Sequence, residues 1–170
     1  TMHITMIGTG YVGLVSGTCF SEFGHDVICV DKDAAKIDKL NGGEMPIFEP
    51  GLETMVASNA KAGRLAFTTV LKDAVKGADA VFIAVGTPSG EDNGGADLVY
   101  VKGAAEEIAA ALDGYTLVVT KSTVPVGTGR ELEAIIRACH PDAHFDFISM
   151  PELLLACSAT HVCMPPDRVQ

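Results

Sequence analysis

Basic residues are scarce in this 170-residue sequence: 12 Lys and Arg stand against 22 Asp and Glu, for a net charge of -10. That deficit argues against nucleic acid and against anionic membrane surfaces as partners. It does not exclude an anionic ligand, because backbone dipoles outweigh net charge over a few ångströms. No apolar stretch approaches the ~20 residues of a membrane span. Neither Lys nor Arg precedes Lys32, so the basic start of a secretory signal is missing. No Cys-x-x-Cys pair is present, and the five cysteines (Cys19, Cys29, Cys139, Cys157, Cys163) are odd in number and lack a disulfide-framework spacing. Cys19 and Cys29 sit in apolar runs, as buried thiols do in a reducing compartment, so a cytoplasmic location is expected.

What is present is enough apolar material for a core: 48% hydrophobic against 20% charged residues. The runs alternate between two periods. Strands are expected at His3–Ile7, Val27–Asp31, Leu65–Thr68, Ala80–Val85, Thr116–Thr120 and Phe145–Ser149. Helices are expected from the glycine-rich turn after Ile7 to Phe23, then over Ala34–Leu40, Leu52–Ala62, Leu98–Leu112 and Gly129–Cys139. The stretch Ala80–Val85 is continuously apolar, as in a strand covered on both faces. Such alternation predicts an α/β fold: a Rossmann-like, doubly wound parallel sheet of about six strands with helices on both faces. Residues 1–150 are expected to form that domain. Residues 151–170 break the pattern and are expected to begin a link to a second domain, as in a domain cut from a longer chain.

The chemistry-bearing motif is Gly8-x-Gly10-x-x-Gly13. It follows a strand and opens a helix, and Asp31 ends the next strand 18 residues after Gly13. Gly8 allows the tight turn, Gly10 lets backbone approach a pyrophosphate, and Gly13 lets the helix pack closely. The helix N-terminus offers N–H groups and partial positive charge to that pyrophosphate. Asp31 accepts hydrogen bonds from ribose hydroxyls and repels a 2′-phosphate, which favours NAD over NADP. Lys32 beside it weakens that preference slightly. Thr87 and Thr123 stand at the carboxyl ends of the fourth and fifth strands, where ligands of open α/β sheets lie. Their hydroxyls serve equally as strand-end caps.

Taken together, several stretches resemble the UDP-glucose 6-dehydrogenase family, with GDP-mannose dehydrogenases as close relatives. They are Gly8-Thr9-Gly10-Tyr11-Val12-Gly13-Leu14, Glu44-Met45-Pro46-Ile47-Phe48-Glu49-Pro50-Gly51-Leu52, Val81 to Pro88, Lys121 to Thr128, Pro151-Glu152 and Pro166-Asp167-Arg168-Val169. The resemblance implies oxidation of the C6 alcohol of UDP-glucose to a carboxylate with two NAD. It implies a covalent cysteine thioester on the way. It carries cofactor binding to Gly8, Gly10, Tyr11, Val12, Gly13, Asp31, Lys36, Thr87, Thr123 and Glu152. It carries a catalytic role to Thr123 and Glu152, which would position water for thioester hydrolysis.

The family's nucleophilic cysteine belongs to a second domain, and none of the five cysteines here matches it. The expected behaviour of this chain is therefore NAD binding with little turnover. After Glu152 the family's polar residues give way to Leu153-Leu154-Leu155-Ala156-Cys157, which fits either a divergent natural end or an engineered, repacked seam. Such an apolar run implies self-association. A non-catalytic, self-associating scaffold and a GDP-mannose dehydrogenase fragment are the alternative readings. No metal is expected: Cys157, His161 and Cys163 cluster, but Pro141 disrupts the His140–His144 spacing and no fourth converging ligand is evident.

Overall fold

Among the described residues, short β-branched and apolar runs form six parallel strands: β1 (His3–Ile7), β2 (Asp26–Val30), β3 (Leu65–Thr68), β4 (Ala80–Ile83), β5 (Tyr115–Thr120) and β6 (His144–Ser149). The computed structural model describes residues 1–86, 98–121 and 124–150. The strands lie in the order β3-β2-β1-β4-β5-β6. Sequence order reverses direction between β1 and β4, which pair in register as Ile4 with Ala80 and Ile7 with Ile83. At such a reversal the connections leave the sheet to opposite sides, and a crevice opens beyond the strand ends.

Among the described residues, six helices cover the two faces. Helices α1 (Tyr11–Glu22), α2 (Ala34–Asn41) and α3 (Leu52–Lys61) share a core with one face, through Leu14, Val15, Ile37, Leu40, Leu52 and Val56. Helices α4 (Leu71–Val75), α5 (Val99–Ala111) and α6 (Thr128–Cys139) share the other, through Val75, Val101, Ile108, Leu132 and Ile136. Strand alternation sorts the side chains: Met6, Phe82 and Val119 belong to the first core, and Ile7, Ile83 and Val118 to the second. All four residues of β4 are buried, as its unbroken apolar run requires.

Helix α1 lies unusually close to the sheet because Gly17 faces it. A Cβ there would stand 2.8 Å from the Cys29 sulfur. The helix ends at Phe23, and Gly24 turns the chain away with φ +98°, a backbone conformation that suits glycine. Helix α2 begins at Asp33, whose carboxylate accepts the Lys36 backbone N–H at 3.2 Å.

The doubly wound sheet matches the expectation, with three refinements. Strand β2 stops at Val30, so Asp31 stands just beyond the strand rather than as its last residue. Strand β4 stops at Ile83, and the chain runs on through Ala84, whose N–H donates to the Ile7 carbonyl at 2.8 Å, and Val85 beside the glycine turn. Helix α4 has no counterpart in the sequence reading. It is five residues long, too short for a helical period to register, yet it buries Leu71, Ala74 and Val75. The Thr87–Ala96 loop and the expected link at 151–170 lie outside the described residues.

Candidate functional site: a dinucleotide cleft

The turn between β1 and α1 is built by three glycines that do different things. Gly8 adopts φ +107°, and a Cβ on it would lie 2.5 Å from the Ala84 carbonyl oxygen. Its own N–H donates to the Val30 carbonyl at 2.7 Å, tying the turn to the end of β2. A Cβ on Gly13 would lie 1.9 Å from the Gly8 carbonyl oxygen, so the first turn of α1 can close onto the loop only without a side chain. Gly10 is the opposite case: a Cβ there would meet nothing within 4 Å. Packing does not demand glycine at Gly10, whereas a ligand drawn close to the backbone would. Helix α1 starts at Gly10 with no side-chain cap and no acidic residue in its first turn, so its positive end opens onto this space.

Asp31 is held beside that space by a set of donors. Its Oδ2 accepts the Thr9 backbone N–H at 3.0 Å and the Thr9 hydroxyl at 2.6 Å. Its Oδ1 accepts the Asp33 N–H at 3.0 Å. The Lys36 ammonium lies 3.5 Å from Oδ2. Burial is the largest single influence on this carboxyl and pushes its pKa upward. The Thr9 hydroxyl, the Asp33 and Thr9 N–H groups and the Lys36 charge together outweigh it, and hold the pKa below the ordinary 3.8. Asp31 is therefore an anion with a fixed orientation, and its oxygens keep lone pairs for further donors.

These groups line a cleft of about 630 Å³ beyond the ends of β1, β2 and β4. Tyr11 and Val12 form its floor with the glycine turn, and Tyr100, Ala104 and Glu107 of α5 form the opposite wall. Lys32 and Glu107 meet across it, with Nζ and Oε1 3.0 Å apart. Lys121, at the end of β5, also lines the cleft; the residue is only 7% exposed, and its ammonium lies 5.9 Å from the Phe82 ring centre. Outside the cleft, the Tyr11 hydroxyl donates to Glu49 Oε2 at 2.9 Å, which ties the link before α3 to the glycine turn.

The structure thus brings Gly8, Gly10, Tyr11, Val12, Gly13, Asp31 and Lys36 together on one cleft or its turn. Thr87, Thr123 and Glu152 lie outside the described residues, as do Cys157, His161 and Cys163. Sequence reasoning missed Thr9, which is fully buried and supplies two of the bonds that orient Asp31. It occupies a variable place of the fingerprint, and nothing local marks it as the partner of a residue 22 positions on. Lys121 and the α5 wall were missed for the same reason: only the sheet order brings them to the turn. Among the described residues no group of three His, Cys, Asp or Glu side chains is arranged to hold a metal ion.

A parallel sheet in this order, a glycine turn opening onto a helix end, and an oriented carboxylate past the second strand define a Rossmann-type dinucleotide-binding domain. The residues fit such a ligand. Open space at Gly10 admits a pyrophosphate, and Asp31 offers acceptors to ribose hydroxyls. The pattern of the UDP-glucose/GDP-mannose dehydrogenase family, NAD binding domain, matches residues 2–170, and the chain belongs to that family.

The chain is 61% identical over 168 residues to a UDP-glucose 6-dehydrogenase of Rhizobium meliloti, covering 99% of this chain and 38% of that protein. It is 48% identical over 166 residues to UDP-glucose 6-dehydrogenase TuaD of Bacillus subtilis, covering 97% and 36%. Among solved structures, a UDP-glucose dehydrogenase from Pyrobaculum islandicum superposes with a TM-score of 0.91 at 36% identity, over 98% of this chain and 39% of that one. A GDP-mannose dehydrogenase from Pseudomonas aeruginosa, solved as a ternary complex, gives 0.89 at 40% identity, over 94% and 38%. The chain therefore spans little more than a third of the length of these relatives.

Proposed function

We propose that this chain is the NAD-holding part of a UDP-glucose 6-dehydrogenase, which oxidises the C6 alcohol of UDP-glucose to a carboxylate. The observation that carries the cofactor half is Asp31. It is an oriented carboxylate beside a glycine turn that leaves backbone open to a ligand. The identities of 61% and 48% to proteins named for UDP-glucose support the substrate half.

In this reading the backbone around Gly8, Gly10 and Gly13, with the first-turn amides at Tyr11 and Val12, holds the pyrophosphate. Asp31 accepts the adenine-ribose hydroxyls. Lys36, 3.5 Å from Asp31, keeps that carboxylate charged and in place. NAD supplies a hydride acceptor when bound. Resemblance assigns Thr87 and Thr123 to the nicotinamide half of the cleft. It assigns Thr123 and Glu152 to holding the water that hydrolyses a cysteine thioester, and that cysteine is contributed by the remainder of a longer protein. Residues 1–150 act as the cofactor domain, and 151–170 begin the link onward. The buried thiols of Cys19 and Cys29 and the exposed thiol of Cys139 suit a reducing, cytoplasmic setting. The apolar run 153–157 supports self-association, which light scattering across a concentration series tests.

The substrate reading is tested on a longer protein that carries this chain and the remainder of the dehydrogenase. NADH formation from UDP-glucose, at about two NADH per sugar, is the expected result. NADH formation from GDP-mannose in preference overturns the substrate assignment and leaves the cofactor assignment intact.

A further inference from the structure

Six charged side chains line the cleft, Asp31, Asp33 and Glu107 against Lys32, Lys36 and Lys121, a formal balance of zero. Four of them form two ion pairs. The Lys36 ammonium lies 3.5 Å from Asp31, and the Lys32 ammonium lies 3.0 Å from Glu107 on α5. Lys32 immediately follows the carboxylate that receives the ribose hydroxyls. With Lys36 it is one of two cations beside Asp31 that would favour a phosphate added to that ribose. Glu107 occupies Lys32 from the opposite wall.

We propose that Glu107 is a specificity-determining residue that makes this cleft discriminate between NAD and NADP. Glu107 draws the Lys32 ammonium toward α5 and pairs with it, so that a 2′-phosphate meeting Asp31 finds both nearby lysines, Lys32 and Lys36, already bound to carboxylates. Discrimination at this site is then shared between two carboxylates on different elements. Asp31 repels the phosphate directly, and Glu107 withholds a lysine that would attract it. This inference rests on the cofactor reading above and adds α5 to the determinants of cofactor choice. Nothing in the glycine fingerprint or in the strand ending at Val30 encodes it, because Glu107 follows Lys32 by 75 residues.

The test compares affinities for NAD and NADP in the unchanged chain, in Glu107→Gln, and in Glu107→Gln combined with Lys32→Met. Removing one carboxylate from the rim and releasing one lysine raises the NADP-to-NAD affinity ratio by about threefold to tenfold at low ionic strength. The gain shrinks as salt is added, since both side chains are solvent-accessible. The double variant loses it, because the liberated ammonium is then absent. An unchanged ratio in Glu107→Gln, with NAD still bound, overturns the inference alone. So does a raised ratio that survives Lys32→Met. Absence of NAD binding in the unchanged chain overturns the cofactor reading and the inference with it.

Discussion

At the level of single residues, the glycine turn separates packing from function. Gly13 has the Gly8 carbonyl 1.9 Å from where a Cβ would stand. No rotamer relieves a clash with backbone, so Gly13→Ala displaces α1 and costs about 1–3 kcal/mol by analogy with overpacked cores. Gly10 has φ -73° and open space around it, so in Gly10→Ala the poorer N-cap and the stiffer unfolded chain oppose each other and stability changes by less than about 1 kcal/mol. The substitution weakens NAD binding nonetheless, because the added methyl occupies the approach to the backbone. Urea denaturation and an NAD titration on both variants check this. Equal stability losses would contradict the packing account.

Asp31 carries a pH dependence whose sign follows from its donors. Its pKa is lowered in the folded chain, so it binds fewer protons there than when unfolded. The stability it contributes is present above the ordinary 3.8 and is lost as pH falls from there through the lowered value. Thr9→Val removes the 2.6 Å hydroxyl bond while keeping the side-chain volume. Asp31 then titrates closer to its ordinary value, the acid-side loss begins at higher pH, and NAD affinity falls by about threefold to tenfold. Carboxyl chemical shifts followed by NMR read the first effect directly. An unmoved Asp31 titration would show that Thr9 does not hold it.

The cysteines differ in the same physical terms. Cys29 is fully buried, and burial pushes its thiol up to about 12. Cys139 is exposed on α6. Alkylation at neutral pH is expected to modify Cys139 in the folded chain and to leave Cys29 untouched until the chain unfolds. Peptide mapping of the labelled protein distinguishes the two.

At the level of elements, a polar knot joins α1, α3 and β3. The fully buried Asn59 donates to Glu22 Oε2 at 2.7 Å and to the Met55 carbonyl at 2.8 Å, and accepts from Arg64 Nε at 3.0 Å. Arg64 also donates to the Ser21 carbonyl at 3.2 Å. Asn59→Ala removes these bonds, but Glu22 is exposed and Arg64 keeps its bond to the Ser21 carbonyl, so it destabilises the fold by about 1–2 kcal/mol. The cleft lies at the other end of α1, so the residual folded chain keeps its NAD affinity. Denaturation midpoints and a titration below the transition check the two halves of that statement.

The elements also show what a sequence discloses. Ala80 to Ile83 is readable as a doubly covered strand because every residue is apolar. The turn after Ile7 is readable because glycine spacing there has a mechanism. Helix α4 is not, since Leu71 to Val75 make barely one turn and its partners come from distant strands and from α5. The Thr9–Asp31 bonds, the Lys32–Glu107 pair and the tether from Tyr11 to Glu49 are invisible for a related reason. Each joins residues 22 to 75 positions apart that meet only after the sheet has assembled. Local pattern locates the frame of the cleft, and the long-range pairs set the charge inside it.

At the level of the whole molecule, the sheet order brings the ends of β1, β2 and β4 to one crevice, and residues from α1, α2 and α5 meet there. That arrangement accounts for a cofactor-binding half with its own core on each face of the sheet. The central claim is that this cleft holds NAD through Asp31. The most direct measurement is a calorimetric titration of the chain with NAD, repeated on Asp31→Ala. The account predicts saturable one-site binding, weakened at least tenfold by the substitution. A folded chain that releases no heat of NAD binding, or one that binds NAD equally well without the Asp31 carboxylate, would contradict it.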